Sequence, residues 1–266
     1  MSDAVLRVVD YGGHFHTRAG DKAALEAVTF DVARGSITAV VGETGSGKSL
    51  TALSVLRIQP ANFVVTSGQI LYEGVDLLGC TEREMRAIRG GRIAMVFQDA
   101  RAALNPVLTV GRQLEDVCRL HRDVDRRAAR QLAIDALREV QIPEPERRAK
   151  QYPHEFSGGM AQRVMIAMAL ICEPELVILD EPTTGLDVTI QAEIMRLIVA
   201  LTVEHGLTAT LITHDLGVVA ETSDSIVVMQ AGRVVETGSA EQIFTAPAHD
   251  YTRQLLAASR LVEAAA

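Results

Sequence analysis

An α/β fold with a mainly parallel sheet, short antiparallel pieces and a helical insertion is predicted from three features of the 266-residue chain. Short apolar runs rich in β-branched residues recur at Ile37–Val41, Ile93–Phe97, Leu176–Leu179, Thr208–Thr213 and Ile226–Met229. Segments with helical spacing, such as Ser49–Ile58 and Val188–Val203, follow several of them. Strands that are apolar throughout and alternate with helices belong to a parallel sheet covered on both faces. Between Arg101 and Glu155 the strand signal disappears.

The remaining elements read as follows. Val28–Val32, Gln69–Tyr72 and Arg233–Glu236 are short and flanked by glycine; the last follows Ile226–Met229 through Gln230-Ala231-Gly232, the spacing of an antiparallel pair. Val110–His121 and Asp125–Gln141 read as helices, and in the second Leu132, Ala133, Ala136, Leu137 and Val140 share one apolar face. Pro143 and Pro145 end it. The charged face of this helical region is a solvated surface or a docking surface for another protein.

Composition bounds the function. With 34 acidic against 26 basic residues the formal charge is −8, which excludes a generally basic nucleic-acid binder. A hydrophobic share of 48% supplies a buried core and excludes a disordered chain. The longest apolar run, Val164–Cys172, falls well short of the ~18 residues of a membrane span. Met1-Ser2-Asp3 lacks the basic, apolar start of a secretory leader. Cys80, Cys118 and Cys172 are odd in number and form no C-x-x-C pair, against a disulfide framework, zinc site or iron–sulfur cluster. The expectation is a soluble, reduced, cytoplasmic protein.

Gly42-Glu43-Thr44-Gly45-Ser46-Gly47-Lys48-Ser49 fits G-x-x-x-x-G-K-[ST], between a strand and a helical pattern. Glycines let the backbone wrap so that successive N–H groups face phosphate oxygens, and the following helix adds the positive end of its dipole. Lys48 is placed to neutralise the β- and γ-phosphates, and the Ser49 hydroxyl to ligate Mg²⁺. Leu176–Asp180 then Glu181 is a buried-strand run ending in two carboxylates; in nucleotide hydrolases Asp180 would hold Mg²⁺ and Glu181 would polarise the attacking water. Ser157-Gly158-Gly159, ahead of an apolar helix, is a second anion-binding helix start without a lysine of its own. It suits the γ-phosphate of a nucleotide held by another subunit.

With these residues the sequence resembles the ATPase subunit of ATP-binding cassette (ABC) transporters over nearly all its length. The order matches: the phosphate loop, Gln98 in Val96-Phe97-Gln98-Asp99, the signature Ser157–Met160, Asp180-Glu181, Thr184-Gly185-Leu186-Asp187, and Ile212-Thr213-His214-Asp215. The resemblance implies one ABC ATPase domain over residues 1–266: a RecA-like parallel core, an antiparallel β subdomain, and residues 101–160 as a helical subdomain ending in the signature. It implies ATP and Mg²⁺ as ligands. Gln98 would reach the metal and the attacking water, His214 would contact the γ-phosphate and hold Glu181, and Asp187 would order the subunit interface while also capping a helix. Phe15 is the choice for stacking on adenine, with Tyr11 the alternative. His14 and His16 beside it read as solvent-facing strand residues, since no carboxylate is spaced around them in sequence.

Within the family the chain resembles importers of peptides, nickel and related solutes, through Phe156–Val164 with Met160, Asp180–Ile190 and the tail Pro247-Ala248-His249-Asp250-Tyr251-Thr252. Leu50, Ala161 and Gly185 depart from commoner residues without deleting a catalytic group. The implied partners are two membrane permeases, a second ATPase chain or a second copy, and an extracytoplasmic solute-binding protein, with no nucleic acid. The implied location is peripheral, on the cytoplasmic face of the membrane. The absence of clustered cysteines near Ala266 is expected of shorter members, nickel and metal-chelate importers among them, with truncated peptide importers the alternative. The competing expectation is a soluble cassette ATPase acting in DNA repair or translation.

Overall fold

The computed structural model describes residues 4–263, with side chains to Ala258; Met1-Ser2-Asp3, on which the absence of a secretory leader was read, lies outside them. The chain forms two compact units, one from residues up to 85 and from 208 onward, the other from residues 86–207.

The first unit opens with a long antiparallel hairpin, β1 (Ala4–Thr17) and β2 (Gly20–Ala33). Its tight turn is closed by Thr17, whose hydroxyl donates to the Gly20 carbonyl and accepts from the Ala19 N–H. Val28, Phe30 and Val32 alternate inward along β2, so the sequence reading caught only the end of a longer strand. Of β1 it named only His14 and His16 as strand residues. Asp10 sits at φ 48° and the register shifts around Tyr11 and Gly13, which breaks the two-residue alternation that marks a strand. Then come β3 (Ile37–Val41), α1 (Lys48–Val55), β4 (Phe63–Tyr72), β5 (Val75–Asp76) and α2 (Glu82–Ile88). The antiparallel strands form one sheet in the order β2-β1-β4-β5. Helix α1 stops short of the predicted Ile58: Arg57 adopts φ 52° and donates to the Leu77 and Cys80 carbonyls.

In the second unit, β6 (Ile93–Val96) leads into α3 (Ala100–Ala103), α4 (Val110–His121), α5 (Arg126–Glu139), α6 (Pro145–Arg148) and α7 (Gly158–Leu170), before β7 (Leu176–Asp180) and α8 (Val188–His205). Strands β6 and β7 are buried throughout and pair in parallel, Ile93 opposite Leu176 and Val96 opposite Leu179. Among the described residues no strand lies between them. Thr109 and Asp125 start α4 and α5 by accepting the backbone N–H groups of Arg112 and Ala128. Leu114 and Cys118 of α4 and Ala129, Ala133 and Leu137 of α5 are fully buried, whereas Leu132 stays half-exposed at the edge of its face.

The returning chain adds β8 (Thr208–Ile212), α9 (Leu216–Thr222), β9 (Ser225–Gln230), β10 (Arg233–Ser239), α10 (Ala240–Thr245) and α11 (Asp250–Glu263) to the first unit. β3 lies between β8 and β9 and runs parallel to both, while β10 folds back antiparallel on β9 across the expected Gln230–Gly232 turn. Ala39, Val41, Ile226 and Val228 of this sheet pack with Leu216, Val219, Ile243 and Tyr251 from the three helices.

The burial difference along α5 has a measurable consequence. Leu137→Ala is expected to lower stability by about 2–5 kcal/mol, because the closed core cannot collapse into the space left. Leu132→Ala is expected to cost less than about 1 kcal/mol, since water already reaches that side chain. Urea unfolding of both variants checks this; equal losses would mean that α5 buries a different face.

Candidate functional site

The phosphate loop joins β3 to α1 in the first unit. Gly42 has φ 148°, and a Cβ there would stand 2.1 Å from the Met229 carbonyl oxygen, so only glycine fits. Gly47, at φ 103°, turns the chain into α1 from the left-handed region. Lys48 is 5% exposed, and its Nζ donates to the Gly42 carbonyl at 2.7 Å and the Glu43 carbonyl at 2.9 Å, with Ser46 Oγ at 3.5 Å. The loop is braced from outside as well. The Gly232 N–H donates to the Ser46 carbonyl at 3.0 Å, and the Glu43 N–H donates to the Tyr251 hydroxyl at 3.0 Å. These braces were not anticipated, although the Gln230–Gly232 turn and the Pro247–Thr252 stretch both stood out in the sequence.

His214 also belongs to this unit, in the turn after β8, where its side chain is exposed. Thr213 Oγ1 accepts the Asp215 N–H and Asp215 caps α9 by accepting from Val218, so the turn that carries His214 is fixed on its C-terminal side. Tyr11 is fully buried, which removes it as a stacking surface for a base. Phe15 is half-buried on β1, edge-on to Phe63 at a centroid distance of 5.4 Å. The hairpin folds Asp21 back between two histidines, 3.3 Å from His14 Nε2 and 2.8 Å from His16 Nδ1. That corrects the sequence expectation that no carboxylate lies near them: the pairing is across strands, not along the chain. Among the described residues no three histidine, cysteine or acidic side chains converge to hold a metal ion.

The second unit carries the carboxylates. Asp180 ends β7 and is 7% exposed. Glu181 follows at φ 44°, a left-handed conformation that a residue with a side chain adopts at a cost of about 1 kcal/mol or more. Its Oε2 accepts from Gln98 Nε2 at 3.0 Å and from Thr184 Oγ1 at 2.9 Å. Gln98 was expected here; Thr184 was quoted only as part of its stretch. With its amide nitrogen on Glu181, Gln98 keeps a carbonyl oxygen as an acceptor-type ligand.

Ser157 caps α7, its Oγ accepting the Met160 N–H at 3.3 Å, and Asp187 caps α8 by accepting from Ile190 at 3.2 Å. The two helix starts meet: a Cβ on Gly159 would lie 2.6 Å from Ile190 Cγ2, and one on Gly158 would lie 3.2 Å from a Leu186 methyl. Glycines there leave bare backbone N–H groups at a positive helix end. Within each unit, then, the predicted residues converge in groups: the loop around Lys48, the trio Gln98–Glu181–Thr184, and the two helix starts.

Comparison with known proteins follows the same lines. A family pattern described as ABC transporter matches residues 25–184. A probable peptide ABC transporter ATP-binding protein of Sinorhizobium fredii is 51% identical over 96% of this chain and 76% of its own length. The dipeptide transport ATP-binding protein DppD of Bacillus subtilis is 48% identical, again over 96% of this chain and 76% of its own. Among solved structures, a dimeric ATP-binding cassette in a post-hydrolysis state bound to ADP and phosphate superposes with a TM-score of 0.79. It shares 26% identity and covers 88% of this chain and 98% of its own.

The contact at Gly42 generates a direct test. Gly42→Ala places a methyl against the Met229 carbonyl and is expected to weaken nucleotide binding at least about tenfold, because the loop has to move. Calorimetric titration with ATP reads this out; wild-type affinity would show that the loop does not need its left-handed start.

Proposed function

The chain belongs to the ABC transporter family, and we propose that it is one of the two ATPases that drive a peptide importer. As a member of that family it binds and hydrolyses ATP. The arrangement that carries the reading of how it does so is the Glu181 carboxylate at the end of a buried strand, aimed by Gln98 and Thr184. A carboxylate held in one orientation by two donors can take a proton from water without first reorganising.

ATP enters through the Gly42–Ser49 loop, whose N–H groups and Lys48 take the phosphates, while Phe15 offers a flat apolar surface to adenine. Glu181 draws the proton from the attacking water, and His214 contacts the γ-phosphate. The Ser49 hydroxyl, the Gln98 amide oxygen and the Asp180 carboxylate are all hard oxygen donors, the set that Mg²⁺ takes. When bound, Mg²⁺ neutralises charge on the β- and γ-phosphates. The bare helix start at Ser157–Gly159 closes over the γ-phosphate of a partner cassette, either a second ATPase chain or another copy, and Asp187 orders the interface.

Residues 101–160 serve as the helical subdomain of a single cassette, and permease helices dock near Gln98–Pro106. Among the described residues no helix is long and apolar enough to cross a membrane. On this reading the chain attaches through the permeases, on the cytoplasmic face. Peptides are the proposed cargo because the relatives above are named for peptide and dipeptide transport. Their selection rests with an extracytoplasmic binding protein and the permeases. The alternative in DNA repair or translation is set aside, since relatives at 48–51% identity are transport subunits.

Glu181→Gln keeps both hydrogen bonds available but cannot accept the proton. It is expected to bind ATP with wild-type affinity and hydrolyse it at least about 100-fold more slowly, so that paired cassettes accumulate. Phosphate release and size-exclusion chromatography with ATP test this together; near-normal turnover would remove Glu181 as the base.

A further inference from the structure

The stretch Pro247–Thr252 takes no part in the chemistry above, yet it is tied down with unusual thoroughness. Glu236 on β10 accepts the backbone N–H groups of Ala248 at 2.7 Å and His249 at 3.0 Å. Burial raises the pKa of that carboxyl, but the Thr252 hydroxyl beside it and the Ala248 and His249 N–H groups outweigh it and hold the group below its ordinary value. Arg253 donates to the Pro247 and Ala248 carbonyls at 2.7 and 2.9 Å and pairs with Asp250. His249 Nδ1 accepts the Tyr251 N–H at 3.1 Å. All these bonds fix the first turn of α11, and what that turn delivers is Tyr251.

The Tyr251 ring is 5% exposed, packed against Ala39, Val41 and Val228, and its hydroxyl accepts the Glu43 N–H. Glu43 is the second residue of the phosphate loop, and its N–H shares one peptide plane with the Gly42 carbonyl, which accepts from Lys48 Nζ at 2.7 Å. A peptide plane anchored at its N–H cannot rotate the carbonyl on its other edge freely, so the hydroxyl helps to set where the lysine amine rests. We infer that Tyr251 is a positioning residue for nucleotide binding: its hydroxyl fixes the Gly42–Glu43 peptide, and through the Gly42 carbonyl it positions Lys48. The inference rests on the reading of Gly42–Ser49 as the ATP site, and explains why a C-terminal helix far along the chain is anchored so firmly.

The test uses the full chain for ATP affinity and its assembled transporter for turnover. Tyr251→Phe retains the ring and removes only the hydroxyl, leaving the Glu43 N–H without its partner. It is expected to raise the Kd and KM for ATP about five- to tenfold, with kcat within about twofold of wild type. Leu256→Ala, in the same helix and core, is expected to lower Tm while leaving KM unchanged. Unchanged affinity in Tyr251→Phe, or an equal rise in KM for Leu256→Ala, overturns the inference in favour of simple packing. Lys48→Ala separates the two levels. Wild-type ATP binding in that variant sinks the loop reading itself, whereas loss of binding there with none in Tyr251→Phe sinks only the role of the tyrosine.

Discussion

A loop that holds a polyphosphate with backbone N–H groups works only if those groups converge on one point and stay there, since any motion spreads the field they make. On the proposed reading of Gly42–Ser49, much of the first unit answers to this constraint. Strands β8, β9 and β10 set the end of β3, from which the loop departs, and Gly42 leaves it pressed against the Met229 carbonyl. The turn between β9 and β10 reaches over to bond Ser46, and the helix at the end of the chain reaches Glu43. Met229, Gly232 and Tyr251 are each at least 180 residues from the loop in sequence, so its shape is a property of the whole unit rather than of its own eight residues.

The second unit solves a different problem with similar means. A glutamate on a strand end would sample several rotamers, and on the proposed reading of Glu181 as the base, having to find its orientation during the reaction would cost rate. Here the backbone of Glu181 is already in a left-handed conformation, and its side chain is held by two donors. One comes from the segment after β6, the neighbouring parallel strand, and the other from the turn that leads to Asp187. The pairing of β6 with β7 therefore does more than bury apolar surface: it brings Gln98 level with the carboxylate. A change that weakened that pairing would act on hydrolysis before it acted on nucleotide affinity.

How much of this was legible in the sequence depended on whether the signal was local. Strands such as Ile37–Val41 and Leu176–Asp180 are buried on both faces and write themselves as continuous apolar runs. The phosphate loop and the helix start at Ser157 are contiguous motifs with a fixed chemical reason. β1 was legible only around His14 and His16, because its bulges at Tyr11 and Gly13 scramble the alternation. Tyr11 and Phe15 looked equivalent as aromatic residues on one segment, and only burial separates them. Asp21 between His14 and His16, Thr184 on Glu181 and Tyr251 on Glu43 are pairings made by the turns, packing and register of the fold. A single sequence names the partners but not the pairs.

Hydrolysis alone moves nothing; a motor needs ATP to favour the closed pair of cassettes over the open one, by its difference in affinity. Shifting an equilibrium from 1:99 to 99:1 takes about 5.5 kcal/mol of differential binding. The helix start at Ser157–Gly159 is built to supply such a difference on the proposed reading. Its hydroxyl accepts from Met160 but can still donate, its first-turn N–H groups have no intrahelical partner, and Ile190 leaves no space for a side chain on Gly159. Charge-assisted bonds to a phosphate contribute about 1.5–3 kcal/mol each. Two or three such bonds at each of two sites, formed only on closure, reach the required figure with margin left for the desolvation and ordering that closure costs. A single signature, facing its own chain's nucleotide, would contribute equally in both states and drive no movement.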